Sequence, residues 1–558
     1  MNQARPELPA RGAEGRGRAA ALARAEALRE TITPTSLVTY QSWGRLLVIG
    51  PEDAAATAAV RLKDALDCTL FSPSGSAPEP SARDGLSLIR GGRAHLDGRL
   101  GAFVARVSGA EGEPAPLNGL LPALPEAFDL VLDLSPEPLL DHEIPPPGYY
   151  APRDDEALER AIAELPDMRG EFEKPKFFDF DPEICAHGRS GLKGCTRCID
   201  ACPTVAISSA GDVVEVNPYL CQGAGSCVAA CPTGAMTYAF PSVDELLGLL
   251  REMLDGYRES GGAAPCLVFH DAWSRDSLLE ALAGEGPERV IPVQVEEVGH
   301  VGLEVWLASL AYGAGAVRLL VTRGTPARVR NELEAQVGCG RAILEALGAP
   351  DGAIGILTAG EAYDWDGLPA ESVAKAAKFQ APDDKRAILR LAIDHLHRHA
   401  EAPKKVAALP AGAPFGEIRV DRDGCTLCMS CVSVCPAAAL QAGGDLPQLK
   451  FVEWNCVQCG LCETACPEDV ITRHPRLLFD AEARQSSRVL HEEQPFCCIV
   501  CGKPFATQSV LDRMLKKLEG HWMFQNEESR RRLQMCDTCR VKDMFQAERN
   551  RGGPGMLS

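Results

Sequence analysis

The sequence predicts a multidomain chain of mixed α/β and α+β class. Two small α/β parallel-sheet units alternate with two compact cysteine-bearing modules, and a short cysteine-bearing segment ends the chain. Three observations predict it. The 558 residues exceed the roughly 250–300 that one hydrophobic core supports. Strand-like and helix-like stretches alternate in two separate regions, the pattern of a parallel sheet. The 23 cysteines gather into tight C-x-x-C groups, which mark metal ligands rather than a secreted disulfide framework in a chain of this length.

Taken in order, residues 1–40 form an alanine- and arginine-rich helical or flexible segment, interrupted by Glu7, Glu14, Glu26 and Glu30. No apolar h-region follows, so no secretory signal is expected, and the chain is expected in the cytoplasm. Residues 41–150 form the first small α/β unit: RLLVIG from Arg45 reads as a strand, AAATAAVRLKDAL as a helix, CTLF and FDLVLDL as further strands. Gly50 alone is no G-x-G-x-x-G loop. The run Pro145, Pro146, Pro147 and Gly148 breaks the chain, and a helix near 154–164 opens the first cysteine module, 151–245. Residues 246–400 form the second α/β unit, with strands LVF, VIPVQV, VRLLV and IGIL between helices near 275–283, 301–312 and 326–347. Its glycine pairs, Gly313 with Gly315 and Gly338 with Gly340, follow helices, the wrong context for cradling a pyrophosphate. A proline-bearing linker, 401–416, leads to the second cysteine module, 417–480, and residues 490–558 close the chain.

Composition excludes several classes. With 46% hydrophobic and 24% charged residues the chain is an ordinary globular one, and no stretch reaches the ~20 apolar residues of a membrane span. The formal charge of -20 has the wrong sign for neutralising phosphates, so nucleic acid is not an expected partner.

The chemistry lies in an internal repeat. Cys202-Pro203, Cys231-Pro232, Cys435-Pro436 and Cys466-Pro467 each follow another cysteine by four residues and are followed five residues later by Ile207, Met236, Leu440 or Ile471. The downstream pair reads Cys425, Cys428, Cys431, Cys435 and Cys456, Cys459, Cys462, Cys466. This C-x2-C-x2-C-x3-C-P spacing resembles the two-cluster bacterial ferredoxins, and a short loop of this kind can place three thiolates on three irons of one cubane. The resemblance implies a ferredoxin-like dicluster fold in which the last cysteine of each motif serves the opposite cluster. One [4Fe-4S] cluster then takes Cys425, Cys428, Cys431 and Cys466, and the other Cys456, Cys459, Cys462 and Cys435. Zinc on these cysteines would leave the C-P endings unexplained.

The upstream pair is altered twice. Leu192 stands where motif one should have its first cysteine. Cys185, beyond the glycine-rich AHGRSGLKG, is available in its place, so Cys185, Cys195, Cys198 and Cys231 are assigned to a third [4Fe-4S] cluster; His187 in that loop is a weaker donor. In motif two, Cys221-Gln-Gly-Ala-Gly-Ser-Cys227, Ala224 replaces the middle cysteine. Cys202, Cys221 and Cys227 can hold three irons, which resembles the C-x5-C ferredoxins that carry [3Fe-4S]. An incomplete [4Fe-4S] cluster with a water or small-molecule ligand, or an empty site, are the alternatives.

At the C-terminus, Cys498-x2-Cys501 and Cys536-x2-Cys539 make two pairs suited to tetrahedral, structural zinc, the first resembling a zinc knuckle and the second the helix start of a treble-clef finger. Cys497 is a spare neighbour, and His491 and His521 are weaker candidates. Cys68, Cys266 and Cys339 read as free buried thiols.

Clusters that change charge by one electron with little ligand movement make an electron wire or store the leading reading, serving redox protein partners. Residues 264–358, with VQVEEVGHVGLEVWLASLAYGAGAVRLLV, resemble the delta subunit of methyl-viologen-reducing hydrogenase, although Val321 and Thr322 stand where that family has Gly-Cys. The layout, with ICAHGRSGLKGCTRCIDACP and CIVCGKPF, resembles bacterial 4Fe-4S binding proteins encoded beside formate dehydrogenases, which implies a link to formate metabolism. No catalytic residue is assigned. The competing classes are an iron-sulfur subunit of a flavin- or nicotinamide-dependent oxidoreductase, and a scaffold or maturation factor for a molybdenum enzyme.

Overall fold

A computed structural model describes residues 8, 12–29, 32, 36–109, 112–284, 286–444 and 446–551. The parts of the expected N-terminal segment at 1–7, 9–11, 30–31 and 33–35, and residues 552–558, lie outside them. The described part of the N-terminal segment contains the helix Gly12–Arg29, which packs against the helix Val243–Glu259.

In the N-terminal sheet, strands Arg45–Ile49, Asp67–Ser72 and Leu130–Asp133 run parallel, with Arg45–Ile49 in the middle. Helix Glu52–Leu62 connects the first two. Leu46, Val48, Leu70 and Leu132 pack on one face, and Leu47, Ile49, Phe71 and Val131 on the other. Both faces are therefore covered, which is why these strands read as unbroken apolar runs. The sheet is larger than the sequence reading. Strand Leu86–Asp97 pairs parallel with Asp67–Ser72 in its first half and antiparallel with Val104–Ser108 in its second. The change falls at Gly91 and Gly92, whose φ angles are 85° and 73°. A Cβ on Gly92 would lie 2.3 Å from Val107 Cγ2, so the bend demands glycine.

The central sheet has four parallel strands in the order Val290–Gln294, Cys266–His270, Ala316–Val321 and Ile354–Thr358. Helices Arg275–Ala283, Leu303–Ala311 and Ala327–Leu347 join them, as the alternation of runs requires. Every residue of Leu303–Ala311 is buried, because two helices that periodicity reading passed over pack against it. One is Val243–Glu259, started by a Ser242/Glu245 capping box. The other is Lys385–His399, capped by the Asp384 side chain.

Each cysteine module uses one design. Its first strand pairs antiparallel with its last, Phe178–Phe180 with Met236–Tyr238 and Gly416–Val420 with Ile471–Leu478. A hairpin follows the first C-P, Ile207–Ala210 with Val213–Val216 and Leu440–Ala442 with Gln448–Phe451. Within 401–416, Val406–Ala408 adds an edge strand to Ile471–Leu478, so the expected linker contributes to the second module. The C-terminal segment is a hairpin, Pro495–Cys497 with Pro504–Thr507, followed by the helices Gln508–Lys517, Glu527–Leu533 and Asp537–Arg551. Among the described residues no helix is long and apolar enough to cross a membrane.

Candidate iron-sulfur and metal centres

The cysteine-bearing loops wind alike. The second and fourth residues after the first cysteine are left-handed in three of them: Leu427 and Met429 at φ 53° and 62°, Gln458 and Gly460 at 56° and 89°, Gly223 and Gly225 at 79° and 75°. Such winding turns successive N–H groups toward one point, an anion-binding nest. Leu427, Met429 and Gln458 accept the left-handed region despite their side chains, strain of the kind concentrated at functional sites. Each C-P ends in the same way, with Val205, Gly234, Ala438 or Asp469 left-handed three residues after its cysteine. The loop with Ala224 thus keeps the winding of the complete loops.

Four groups of sulfurs result. Cys425, Cys428, Cys431 and Cys466 line a crevice of about 350 Å³, called site III here, and Cys435, Cys456, Cys459 and Cys462 one of about 360 Å³, site IV. Cys202, Cys221 and Cys227 line a third of about 320 Å³ together with Ala224, site II. Cys185, Cys195, Cys198 and Cys231 lie close enough to raise one another's ionisation cost, and form site I. The structure brings together the cysteines that the resemblance to ferredoxins grouped, including the distant last cysteine of each opposite motif, and sets the displaced Cys185 among those of site I.

Burial raises the thiols at the head of each loop, and hydrogen bonds to them offset part of it. Cys185 accepts from the N–H of His187 just as Cys221 does from Gly223, Cys425 from Leu427 and Cys456 from Gln458. Cys185 thus has the local environment of a first loop cysteine. Ala206 N–H donates to Cys202 Sγ at 3.3 Å, Met236 N–H to Cys231 Sγ at 3.4 Å, and Gln458 Nε2 to Cys456 Sγ at 3.2 Å. Burial, then the neighbouring sulfurs, nevertheless push Cys198 and Cys431 up to about 12. Burial raises Cys227 well above its ordinary range. Holding such sulfurs together as thiolates requires a cationic core among them, and loading it releases protons. The donor sets fit iron-sulfur clusters on this ground, with three thiolates at site II.

His187 is no spare ligand. Its Nδ1 pairs with Cys195 O at 2.8 Å and its Nε2 with Ser209 Oγ at 2.7 Å, so it braces the loop.

Sequence reading missed the groups that fasten these loops from outside. Arg328 donates to Cys202 O at 2.7 Å. Lys385 donates to Val228 O and Ala229 O at 2.8 and 2.9 Å and faces Glu304 at 3.3 Å. Gln336 donates to Ala229 O at 3.1 Å, and Lys174 donates to Tyr219 O and Cys221 O. They come from segments far away in sequence, and no local motif marks them.

The C-terminal cysteines form a tighter group. The ligand atoms of Cys498, Cys501, Cys536 and Cys539 all lie within 4.8 Å of one another, with Cys501 and Cys536 sulfurs 3.7 Å apart. Four sulfurs about 2.3 Å from one tetrahedral ion would be separated by about 3.8 Å. Burial opposes ionisation of Cys498, but N–H groups of Cys501, Cys536 and Val500 win and bring it down to about 6. Hydrogen bonding with Cys501, then burial, lifts Cys539 to about 12. Cys497 is exposed beside the group. His491 pairs with Glu493 and His521 caps a short helical turn, so neither belongs to it. Cys68, Cys266 and Cys339 are buried in the α/β units, where burial pushes them up to about 12, 11 and 12.

The family model described as "4Fe-4S dicluster domain" matches residues 179–232 and 417–467. The first match contains all seven cysteines of sites I and II, the second all eight of sites III and IV. No curated protein matches the chain. The chain carries two 4Fe-4S dicluster domains, the equipment of iron-sulfur electron transfer.

Proposed function

We propose that the protein carries single electrons between redox protein partners through three [4Fe-4S] clusters at sites I, III and IV and a [3Fe-4S] cluster at site II. The observation that carries this reading is the shared winding of the cysteine loops, together with sulfur groups drawn from both motifs of each module. Each centre, when bound, takes up and releases one electron with little movement of its ligands. The chain's part is to hold the sulfurs as thiolates, aim N–H groups at them and keep water away. Retention of the left-handed winding at Gly223 and Gly225, and of a crevice in which Cys202, Cys221 and Cys227 gather around Ala224, supports a bound group there over an empty site. The tight Cys498, Cys501, Cys536 and Cys539 group suits structural zinc.

The resemblance of ICAHGRSGLKGCTRCIDACP and CIVCGKPF to proteins encoded beside formate dehydrogenases makes such an enzyme the first partner to try, and a cytoplasmic location fits it. Stopped-flow mixing of the oxidised protein with a reduced formate dehydrogenase tests this: bleaching of the iron-sulfur absorption supports the pairing, and no bleaching removes it.

One observation favours a second reading, a flavin- or nicotinamide-linked subunit. A crevice of about 1120 Å³, lined by Gly50, Pro51, Ser135 and Pro136 among others, lies outside the carboxyl ends of Arg45–Ile49 and Leu130–Asp133, where open α/β sheets bind ligands. A flavin band in the purified protein that survives dilution would favour it.

A further inference from the structure

The two cysteine modules touch through their ligand loops. Gly194 immediately precedes Cys195 of site I, and Leu461 lies between Cys459 and Cys462 of site IV. A Cβ on Gly194 would lie 2.6 Å from Leu461 Cγ and 3.0 Å from Ala186 O. Leu461 is completely buried, and its short helix Leu461–Thr464 packs on the strand Leu192–Lys193. Both sides of the contact are braced. Gly194 and Cys195 N–H groups donate to His187 O and Ala186 O at 2.6 and 3.0 Å. Arg473 donates to Gln458 O at 2.7 Å and to Glu463 at 2.6 Å. Arg197, beside Cys198, reaches Ala413 O at 3.5 Å.

The chain itself gives the order of the sites. The approach of Gly194 to Leu461 sets site I beside site IV. Cys198 of site I and Cys202 of site II stand four residues apart, as do Cys227 and Cys231, and Cys431 with Cys435 and Cys462 with Cys466 join site III to site IV in the same way. The short helices Arg197–Ala201 and Ser226–Ala230 pack together, as do Ser430–Ser433 and Leu461–Thr464. The two ends differ. Cys428 of site III is the exposed cysteine among those of the four sites. At site II, the loop is covered from the central unit: a Cβ on Gly225 would meet His300 at 2.4 Å and one on Gly299 would meet Ala224 O at 2.1 Å.

We propose that the Gly194–Leu461 contact joins both modules into one path, ordered site III, site IV, site I, site II, with Cys428 at its solvent end and the Ala224 site at its inner end. The proposal rests on the electron-carrier reading. It adds that the close approach demanded by Gly194 exists to shorten the step between modules, so that one partner at Cys428 serves all four sites.

The test uses the full-length protein with its clusters, prepared without oxygen. Electron paramagnetic resonance of the fully reduced protein is expected to show magnetic interaction between sites I and IV. Gly194→Leu should abolish it with iron content retained, and Gly194→Leu combined with Leu461→Ala, which returns the lost space, should restore it. A soluble chromium(III) oxalate complex should speed relaxation of the site III signal most and of the site II signal least. Full iron content with no interaction between sites I and IV in the unaltered protein would overturn the path. So would Gly194→Leu leaving the interaction intact, or equal relaxation at sites II and III. Iron-free protein after reconstitution would instead sink the electron-carrier reading itself.

Discussion

Ala224 stands in a loop whose backbone still follows the four-cysteine pattern, with Gly223 and Gly225 left-handed at the positions of Leu427 and Met429. Ala224→Cys is therefore expected to supply a fourth thiolate without rebuilding the loop. An oxidised-state resonance signal from the three-iron centre should then give way to one seen only after reduction, and an unchanged spectrum would count against site II as drawn. Glu297 offers a prediction about pH. Burial, then Asp271 and Glu296, raise it from 4.5 to about 7. Between those values the folded state binds the extra proton, so stability falls as pH rises through the window. Glu297→Gln should leave stability unchanged near pH 4 and raise it by up to about 3 kcal/mol above pH 7, as thermal unfolding at the two pH values would show. The grouping of residues was legible where the pattern is local, as with the cysteines and their C-P endings. They were illegible where it is not: nothing around Lys385 or Arg328 in sequence says that each will meet a carbonyl of a cluster loop.

At the scale of elements, strands and helices with an unbroken apolar run or a clear period were legible, among them the four central strands and the helix Ala327–Leu347. Strand Ser74–Arg83 was not, because SGSAPEPSAR is polar and holds two prolines; it forms by pairing with Leu86–Asp97. Helix Lys385–His399 does more than cover the core, since its first residue pins the helix Ser226–Ala230 that carries Cys227. Lys385→Met leaves Glu304, only 2% exposed, without its cation and should cost about 3–5 kcal/mol. Adding Glu304→Leu should recover part of that loss in denaturant unfolding, whereas equal destabilisation by both variants would argue against a buried pair. The C-terminal segment is fastened to site III by Thr507 donating to Thr426 O at 3.3 Å and Arg513 to Gly424 O at 3.2 Å. Cys536→Ser should release one zinc and expose residues 490–547 to protease while iron content stays whole. Loss of iron together with zinc would show that this segment is not a separate metal site.

Across the whole molecule, two modules of one design sit among α/β units that buttress their loops, and the excess negative charge of the chain suits partners with basic docking faces. Such docking should weaken as salt rises. The most direct test is metal and acid-labile sulfide analysis of protein purified without oxygen, together with paramagnetic resonance of oxidised and reduced samples. The expected result is about fifteen irons, one zinc and an oxidised-state three-iron signal. About twelve irons would leave site II empty and about sixteen would place a cubane there. A folded, colourless protein after reconstitution would contradict the electron-carrier account altogether.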